Sequence, residues 1–252
     1  LPANGRETTE ATAPQRAAII GNSDGIGFAL TRRLLASGWT VTGLSRSDSP
    51  VTDERYVHRV VDVTASGYPD VLARSVDALG GIDLCVYAAG MGELLDLDRL
   101  SEQTRALEVN LIGTARTVEA VVPRMVSAGG GHLVGLSSLA DVGIFPEAPG
   151  YAASKAGMST YLLSLGLALR PRNVAVTNVR FGFVDTKMAK APRKPMMIST
   201  EKAVDVLIEA LRTRPAVVSY PRSMAVGASL LRAVTVARLP RRIPDRPISK
   251  QA

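Results

Sequence analysis

The chain is poor in several residue types, and each shortage removes a class of function. Its 252 residues include a single cysteine, Cys85. That excludes an intramolecular disulfide and a cysteine-based metal cluster, and it suits a reducing compartment. Cys85 sits in the apolar run IDLCVYAAG (82–90) and reads as a buried core thiol. The two histidines, His58 and His132, stand far apart in sequence and outside any ligand motif, so no metal site is expected. Aromatic residues make up only 4% of the chain. With no nucleic-acid module visible either, nucleic acid is the weakest choice of partner. No run of about 18 uncharged apolar residues occurs, so no membrane-spanning helix is expected. The N-terminal stretch is polar and broken by proline, lacks the apolar centre of a signal peptide, and reads as a flexible leader over 1–15.

What is present is an ordinary globular composition, 46% apolar and 21% charged, in a length that suits one α/β domain with a large core. The charge is uneven. Residues 1–186 carry 16 basic and 19 acidic side chains, net −3, whereas residues 187–252 carry 14 basic and 4 acidic, net +10. Such asymmetry suits an anionic membrane surface or an acidic substrate as well as a polyanion.

Apolar runs alternate with helical periodicity along the chain. RAAIIG (16–21), WTVTGLSR (39–46), YVHRVVDV (56–63), IDLCVYAAG (82–90), HLVGLSS (132–138), NVAVTNVRF (173–181) and PAVVSYP (215–221) read as seven strands. Helices are expected over 26–38, 69–79, 101–128, 151–169 and 200–213. This alternation predicts an α/β fold of Rossmann-like, doubly wound type, with a parallel seven-stranded sheet covered by helices on both faces. No internal repeat or low-complexity linker interrupts it. One domain is expected over 16–221, followed by a basic, amphipathic extension over 222–252.

Two stretches carry chemistry. The first strand runs directly into GNSDGIG, with Gly21, Gly25 and Gly27, and an amphipathic helix follows. Glycines at such a turn let backbone approach a pyrophosphate at the helix N-terminus. In GYAASKAG (150–157), Tyr151 and Lys155 stand four apart, on one face of a helix. A nearby ammonium favours phenolate, so the pair can form a general acid/base poised nearer neutrality.

The G-x-x-x-G-x-G spacing together with YAASK resembles the short-chain dehydrogenase/reductase family, and the likeness runs from about residue 16 to 221. Further positions match in order. Asp62 and Val63 in VVDV resemble the segment beside the adenine, and Ala88, Ala89 and Gly90 the end of the family's NNAG segment. Asn110 in EVNLIGT resembles the asparagine that holds a relay water, and Ser138 lies thirteen residues before Tyr151, a typical family spacing. GFVDTKM (182–188), with Gly182, Val184 and Thr186, resembles the loop beside the nicotinamide. The chain departs from the family at Ile20 for threonine, at Tyr87 and Ala88 for the two asparagines, and at Phe181 for proline.

The resemblance implies hydride transfer between a nicotinamide cofactor and a ketone or secondary alcohol, with reduction the expected direction. Tyr151 would be the proton donor and Lys155 would bind the nicotinamide ribose and lower the tyrosine pKa. Ser138 would hold the substrate oxygen and Asn110 the relay water. Gly21, Ser23, Asp24, Gly25, Ile26 and Gly27 would cradle the cofactor. The second strand ends in Ser45, Arg46 and Ser47 rather than in an acid, which favours NADP(H) over NAD(H), because arginine pairs with a 2′-phosphate. Asp24 runs the other way, standing near where many NADP-binding relatives carry a base.

TKMAKAPRKPMMIS (186–199) resembles a substrate lid; its lysines and methionines suit an acidic or apolar substrate group, or simply solvent. Residues 222–242 read as an amphipathic helix for an anionic membrane or a partner subunit. Two alternatives therefore stand beside the reductase: a non-catalytic NADP(H)-binding sensor, and a peripheral membrane reductase of a hydrophobic or lipid-linked ketone. A cytoplasmic location is expected, with possible contact at the membrane surface. The resemblance also implies a homodimer or homotetramer through the helices near 101–128 and 151–169.

Overall fold

A computed structural model describes residues 15–189, 194–225 and 227. Seven parallel strands form one sheet in the order β3-β2-β1-β4-β5-β6-β7. The strands are β1 Arg16–Ile20, β2 Thr40–Ser45, β3 Tyr56–Val60, β4 Leu84–Tyr87, β5 Gly131–Ser138, β6 Val174–Phe181 and β7 Val217–Tyr220. The helices are α1 Gly25–Ala36, α2 Tyr68–Ala78, α3 Ser101–Leu107, α4 Gly113–Ser127, α5 Pro149–Leu169 and α6 Thr200–Thr213. This is the expected doubly wound architecture.

Alternation along each central strand builds two cores. Ala18 and Ile20 of β1 point into a cluster with Tyr68, Leu72 and Val76 of α2, Val121 and Met125 of α4, and Met158 and Leu162 of α5. Ala17 and Ile19 point the opposite way, toward Leu30, Leu34 and Leu35 of α1 and Val204 and Leu207 of α6. Ile19 and Ile20 are both fully buried, each contributing about 1.5–3 kcal/mol of burial. A strand apolar on every residue is thus what a sheet covered on both faces requires.

Local signals set the element ends. The Asp24 side chain accepts from Gly25 N at the start of α1, and Ser199 accepts from Lys202 N at the start of α6. Several strands are shorter than expected. β3 stops at Val60 because the Asp62 carboxylate accepts from Thr64 N at 2.9 Å and turns the chain. The helix expected over 101–128 is interrupted: a π-helical turn at Glu108–Ile112 separates α3 from α4. Apolar spacing continues through EVNLIG, so the periodicity gives no sign of the break. Pro123 lies inside α4 without ending it.

The amphipathic helix expected at 222–242 falls mostly outside the described residues, as does the leader. Among the described residues no helix is long and apolar enough to cross a membrane.

Candidate active site

The expected site residues lie on segments that leave the carboxyl ends of parallel strands, where ligands of open α/β sheets bind. The strand order reverses between β1 and β4. The glycine loop follows β1, Ser45 ends β2 with Arg46 just beyond it, Asp62 follows β3, Ala88–Gly90 follow β4, Ser138 ends β5 and residues 182–188 follow β6.

The glycine loop is packed to the limit of bare backbone. Gly21 has φ +85°, and a Cβ there would overlap the backbone nitrogen of Ala89; one on Gly27 would overlap the carbonyl oxygen of Gly21. β1, the loop and the segment after β4 therefore close on each other, leaving the N-terminus of α1 open toward a phosphate. Asp24 sits at that N-terminus. Its carboxylate takes a 2.7 Å contact from Lys187 Nζ, and this partner, with the Gly25 amide, holds it below the usual carboxylate range. The acid that runs against a phosphate ligand is thus neutralised by the loop after β6. Thr186 of the same loop stands against Gly25. The donors and the glycine cradle fit a dinucleotide pyrophosphate.

Beyond the end of β3, burial pushes the Asp62 carboxyl up, but hydrogen bonds from Thr64 and the charges of Arg105 and Arg46 outweigh it and hold the group low. Arg105 Nη2 approaches Asp62 to 3.2 Å. Arg46 is exposed. The Val63 side chain turns into the core, and Ile26, partly buried, packs against the α1 side of the sheet.

Ser138, Tyr151, Lys155 and Asn110 converge. The N-terminal half of α5 carries Tyr151 and Lys155 beside the segment that follows β4: a Cβ on Gly92 would lie 3.1 Å from the Tyr151 ring, and one on Gly90 would lie 3.7 Å from Lys155 Nζ. Burial raises the pKa of the Tyr151 phenol, the neighbouring Ser138 hydroxyl pulls it down, Asp141 adds to the rise, and the balance is upward. Lys155, 3% exposed, donates from Nζ to the Leu136 carbonyl at 2.8 Å, and Nζ lies 6.0 Å from the centre of the Tyr151 ring. Burial lowers its pKa to about 8, against a rise from Asp141. In this geometry the lysine is held by strand β5, and burial rather than the ammonium sets the phenol.

Asn110 is fully buried in the π turn. It accepts from Met91 N and donates to Met91 O, both at 2.8 Å, and donates to Ser154 Oγ at 2.8 Å. It thus ties the segment after β4 to α5. π turns recur at functional sites because they re-aim a side chain that a regular helix would direct elsewhere. Tyr87, where the family has asparagine, bonds the Val109 carbonyl at 2.5 Å and braces the same turn.

Two residues of this region were not anticipated from the sequence. Asp141, on the 3-10 turn Leu139–Val142, and Arg180 of β6 form an ion pair beneath α5 at 2.6 Å. Their signal was present: each is the lone charge in an otherwise uncharged run, LSSLADVG and NVAVTNVRF.

Known proteins resemble this chain in sequence and in fold. The sequence profile of the short chain dehydrogenase family matches residues 15–196. An uncharacterized oxidoreductase of Myxococcus xanthus is 34% identical over 224 residues, covering 83% of this chain and 88% of that protein. Dehydrogenase/reductase SDR family member 4 of Pongo abelii is 27% identical, covering 85% of this chain and 80% of that protein. Among solved structures, a short chain dehydrogenase from Burkholderia cenocepacia in complex with NADP superposes with a TM-score of 0.79 at 26% identity, covering 90% of this chain and 97% of that one.

Proposed function

Starting from the chain's membership of the short-chain dehydrogenase/reductase family, we propose that this oxidoreductase is an NADP(H)-dependent carbonyl reductase, with Ser138, Tyr151 and Lys155 as its catalytic residues. The observation that carries this reading is their convergence with Gly90 and Gly92 at the carboxyl end of the sheet.

NADP(H), when bound, supplies or accepts the hydride. The glycine loop and the α1 N-terminus would hold its pyrophosphate, and Arg46 would pair with the 2′-phosphate. In reduction, Tyr151 would give its phenolic proton to the substrate oxygen, and the carbonyl carbon would take the hydride that the cofactor supplies, turning C=O into CH–OH. Ser138 donates a hydrogen bond to the same oxygen and stabilises the charge that develops there. Lys155 would hold the nicotinamide ribose, and its ammonium charge, 6.0 Å from the Tyr151 ring centre, would favour phenolate against the upward pull of burial. Asn110 fixes the segment that borders the site and anchors the water through which Tyr151 regains its proton.

The preference for NADP(H) is supported by Arg46 and by the absence of an acid at Ser45 and Ser47. Within the described part of the lid, Met188 lies against Gly90 and Lys187 is spent on Asp24. The methionine favours an apolar ketone.

The test is NADPH consumption by the purified protein over a panel of soluble, acyl and lipid-linked ketones, with Tyr151→Phe in parallel. Turnover that vanishes in the variant while NADPH binding persists supports the reading. Turnover unchanged in Tyr151→Phe overturns it.

A further inference from the structure

A hydrogen-bonded chain links the glycine loop to the end of β2 by way of β3, the edge strand of the sheet. Asn22, fully buried, donates from Nδ2 to the Tyr56 hydroxyl at 2.5 Å. The Tyr56 hydroxyl and His58 Nδ1 are 2.8 Å apart. His58 Nε2 lies 3.0 Å from the Ser47 carbonyl oxygen and 3.3 Å from Ser45 Oγ. The Ser45 hydroxyl itself donates to the Ser47 carbonyl at 2.7 Å.

The chemistry of these atoms fixes the direction of the chain. A carbonyl oxygen only accepts, so Nε2 of His58 carries a hydrogen. In the neutral ring Nδ1 is then an acceptor, and the Tyr56 hydroxyl donates to it. Tyr56 in turn accepts from Asn22. Every link has one donor and one acceptor, running from Asn22 through Tyr56 and His58 to the Ser47 carbonyl.

The sheet makes room for this chain at one place. Gly43 of β2 pairs with His58 of β3 in register. A Cβ on Gly43 would overlap the Asn22 amide and stand 2.6 Å from the Tyr56 oxygen. Glycine here therefore opens the path along which the chain passes.

What the chain reaches is the turn Ser45–Arg46–Ser47. The Ser45 hydroxyl and His58 Nε2–H both hold the Ser47 carbonyl, closing the turn on its inner side and leaving Arg46 exposed on the outer side. We infer that His58, oriented by Tyr56, is a positioning residue for recognition of the 2′-phosphate: it fixes the turn so that Arg46 and the polar groups beside it meet that phosphate together. This deepens the cofactor reading above and rests on it. It also ties the adenosine end of the site to the pyrophosphate end, because Asn22 belongs to the glycine loop.

The experiment is equilibrium binding of NADP+ and of NAD+ by titration calorimetry to the full chain, comparing wild type with His58→Ala, His58→Gln, Tyr56→Phe and Arg46→Ala. His58→Ala is expected to weaken NADP+ by about three- to tenfold, the worth of a lost hydrogen bond or two, and to leave NAD+ unchanged. His58→Gln, whose amide N–H can still donate to Ser47, should recover most of the loss. Tyr56→Phe should show a smaller loss of the same kind. Equal affinity of the wild type for both cofactors overturns the NADP(H) reading and this inference with it. A wild-type preference lost in Arg46→Ala but kept in His58→Ala overturns the inference alone. So does a parallel fall for both cofactors in His58→Ala, which would mark a merely structural residue. Thermal melting of each variant checks that the fold is intact, and His58 lies on an edge strand, partly exposed, where substitution is tolerated.

Discussion

Asp141 and Arg180 meet at 2.6 Å beneath α5, with side chains 3% and 17% exposed. Ser159 of α5 donates to the other carboxylate oxygen at 2.5 Å, and Arg180 reaches Ser219 of β7 at 3.2 Å. One ion pair thus joins the turn after Ser138, the helix of Tyr151 and Lys155, and two strands. Removing one member of such a pair strands a charge in the interior. Asp141→Asn should therefore lose about 3 kcal/mol of unfolding free energy. The double variant Asp141→Leu/Arg180→Met should recover most of it, since apolar groups of similar size carry no desolvation cost. Urea unfolding of Asp141→Asn, of Asp141→Leu and Arg180→Met singly, and of the double measures this, and a double variant additive in its two singles would contradict the coupling.

The glycine loop gives a sharper case, because its constraint is steric. At Gly27 the added carbon of alanine would overlap the Gly21 carbonyl oxygen, so the loop must open to admit it. Gly27→Ala should cost about 1–3 kcal/mol, as overpacking does elsewhere. It should also abolish the rise in melting temperature on adding NADP+. A variant that melts lower but keeps the full cofactor-induced rise would show that the loop tolerates opening.

These two sites differ in how far the sequence announces them. Gly21, Gly25 and Gly27 are read at once because the loop is local: seven consecutive residues between a strand and a helix contain the whole device. Tyr151 and Lys155 are legible for the same reason, since one helical turn sets their relation. Asp141 and Arg180 are separated by 39 residues and meet only because β5 and β6 are neighbours in the sheet. Asn22, Tyr56 and His58 are likewise joined by strand pairing. The π turn at Glu108–Ile112 left no trace, because it changes backbone hydrogen bonding without changing the apolar spacing that periodicity detects. Lys155 is the instructive residue: its position is evident from the sequence, but its bond to the Leu136 carbonyl depends on how deeply α5 packs on β5.

His132 predicts the acid limb of stability. It is 3% exposed and bonded through Nε2 to Thr177 Oγ1 at 2.8 Å. Burial, with the charge of Arg214, lowers its pKa to about 4 from 6.5. The unfolded chain therefore binds this proton first. The stability tied to neutral His132 is complete above pH 6.5 and is lost as pH falls toward 4. The loss amounts to about 3 kcal/mol over that window. His132→Gln should give a flatter profile between those limits, whatever its stability at neutral pH. Unfolding free energies measured at several pH values decide the matter, and parallel profiles would mean that other groups govern the acid limb.

Lys155 makes the opposite prediction on the alkaline side, and it sets stability against function. Its pKa falls from 10.5 to about 8 on burial, so in the folded chain the ammonium is disfavoured. The penalty is fully present below the folded value and fades as pH rises toward the unfolded one. By the size of the shift it is about 3 kcal/mol at pH 7. Lys155→Met removes the charge and keeps the bulk. It leaves the Leu136 carbonyl without its donor, at a cost of about 1 kcal/mol or more. The cofactor-free variant should therefore be more stable than wild type by about 1–2 kcal/mol at pH 7. That advantage should shrink and then reverse by pH 10, where the wild-type lysine is neutral in the fold. Turnover should be lost throughout, because the variant has no ammonium to hold the ribose or to favour phenolate at Tyr151. Urea unfolding of both proteins from pH 7 to 10 reads the difference. A constant offset would mean that Lys155 keeps its charge in the fold at ordinary cost, and that the interior around α5 is wetter than its burial implies.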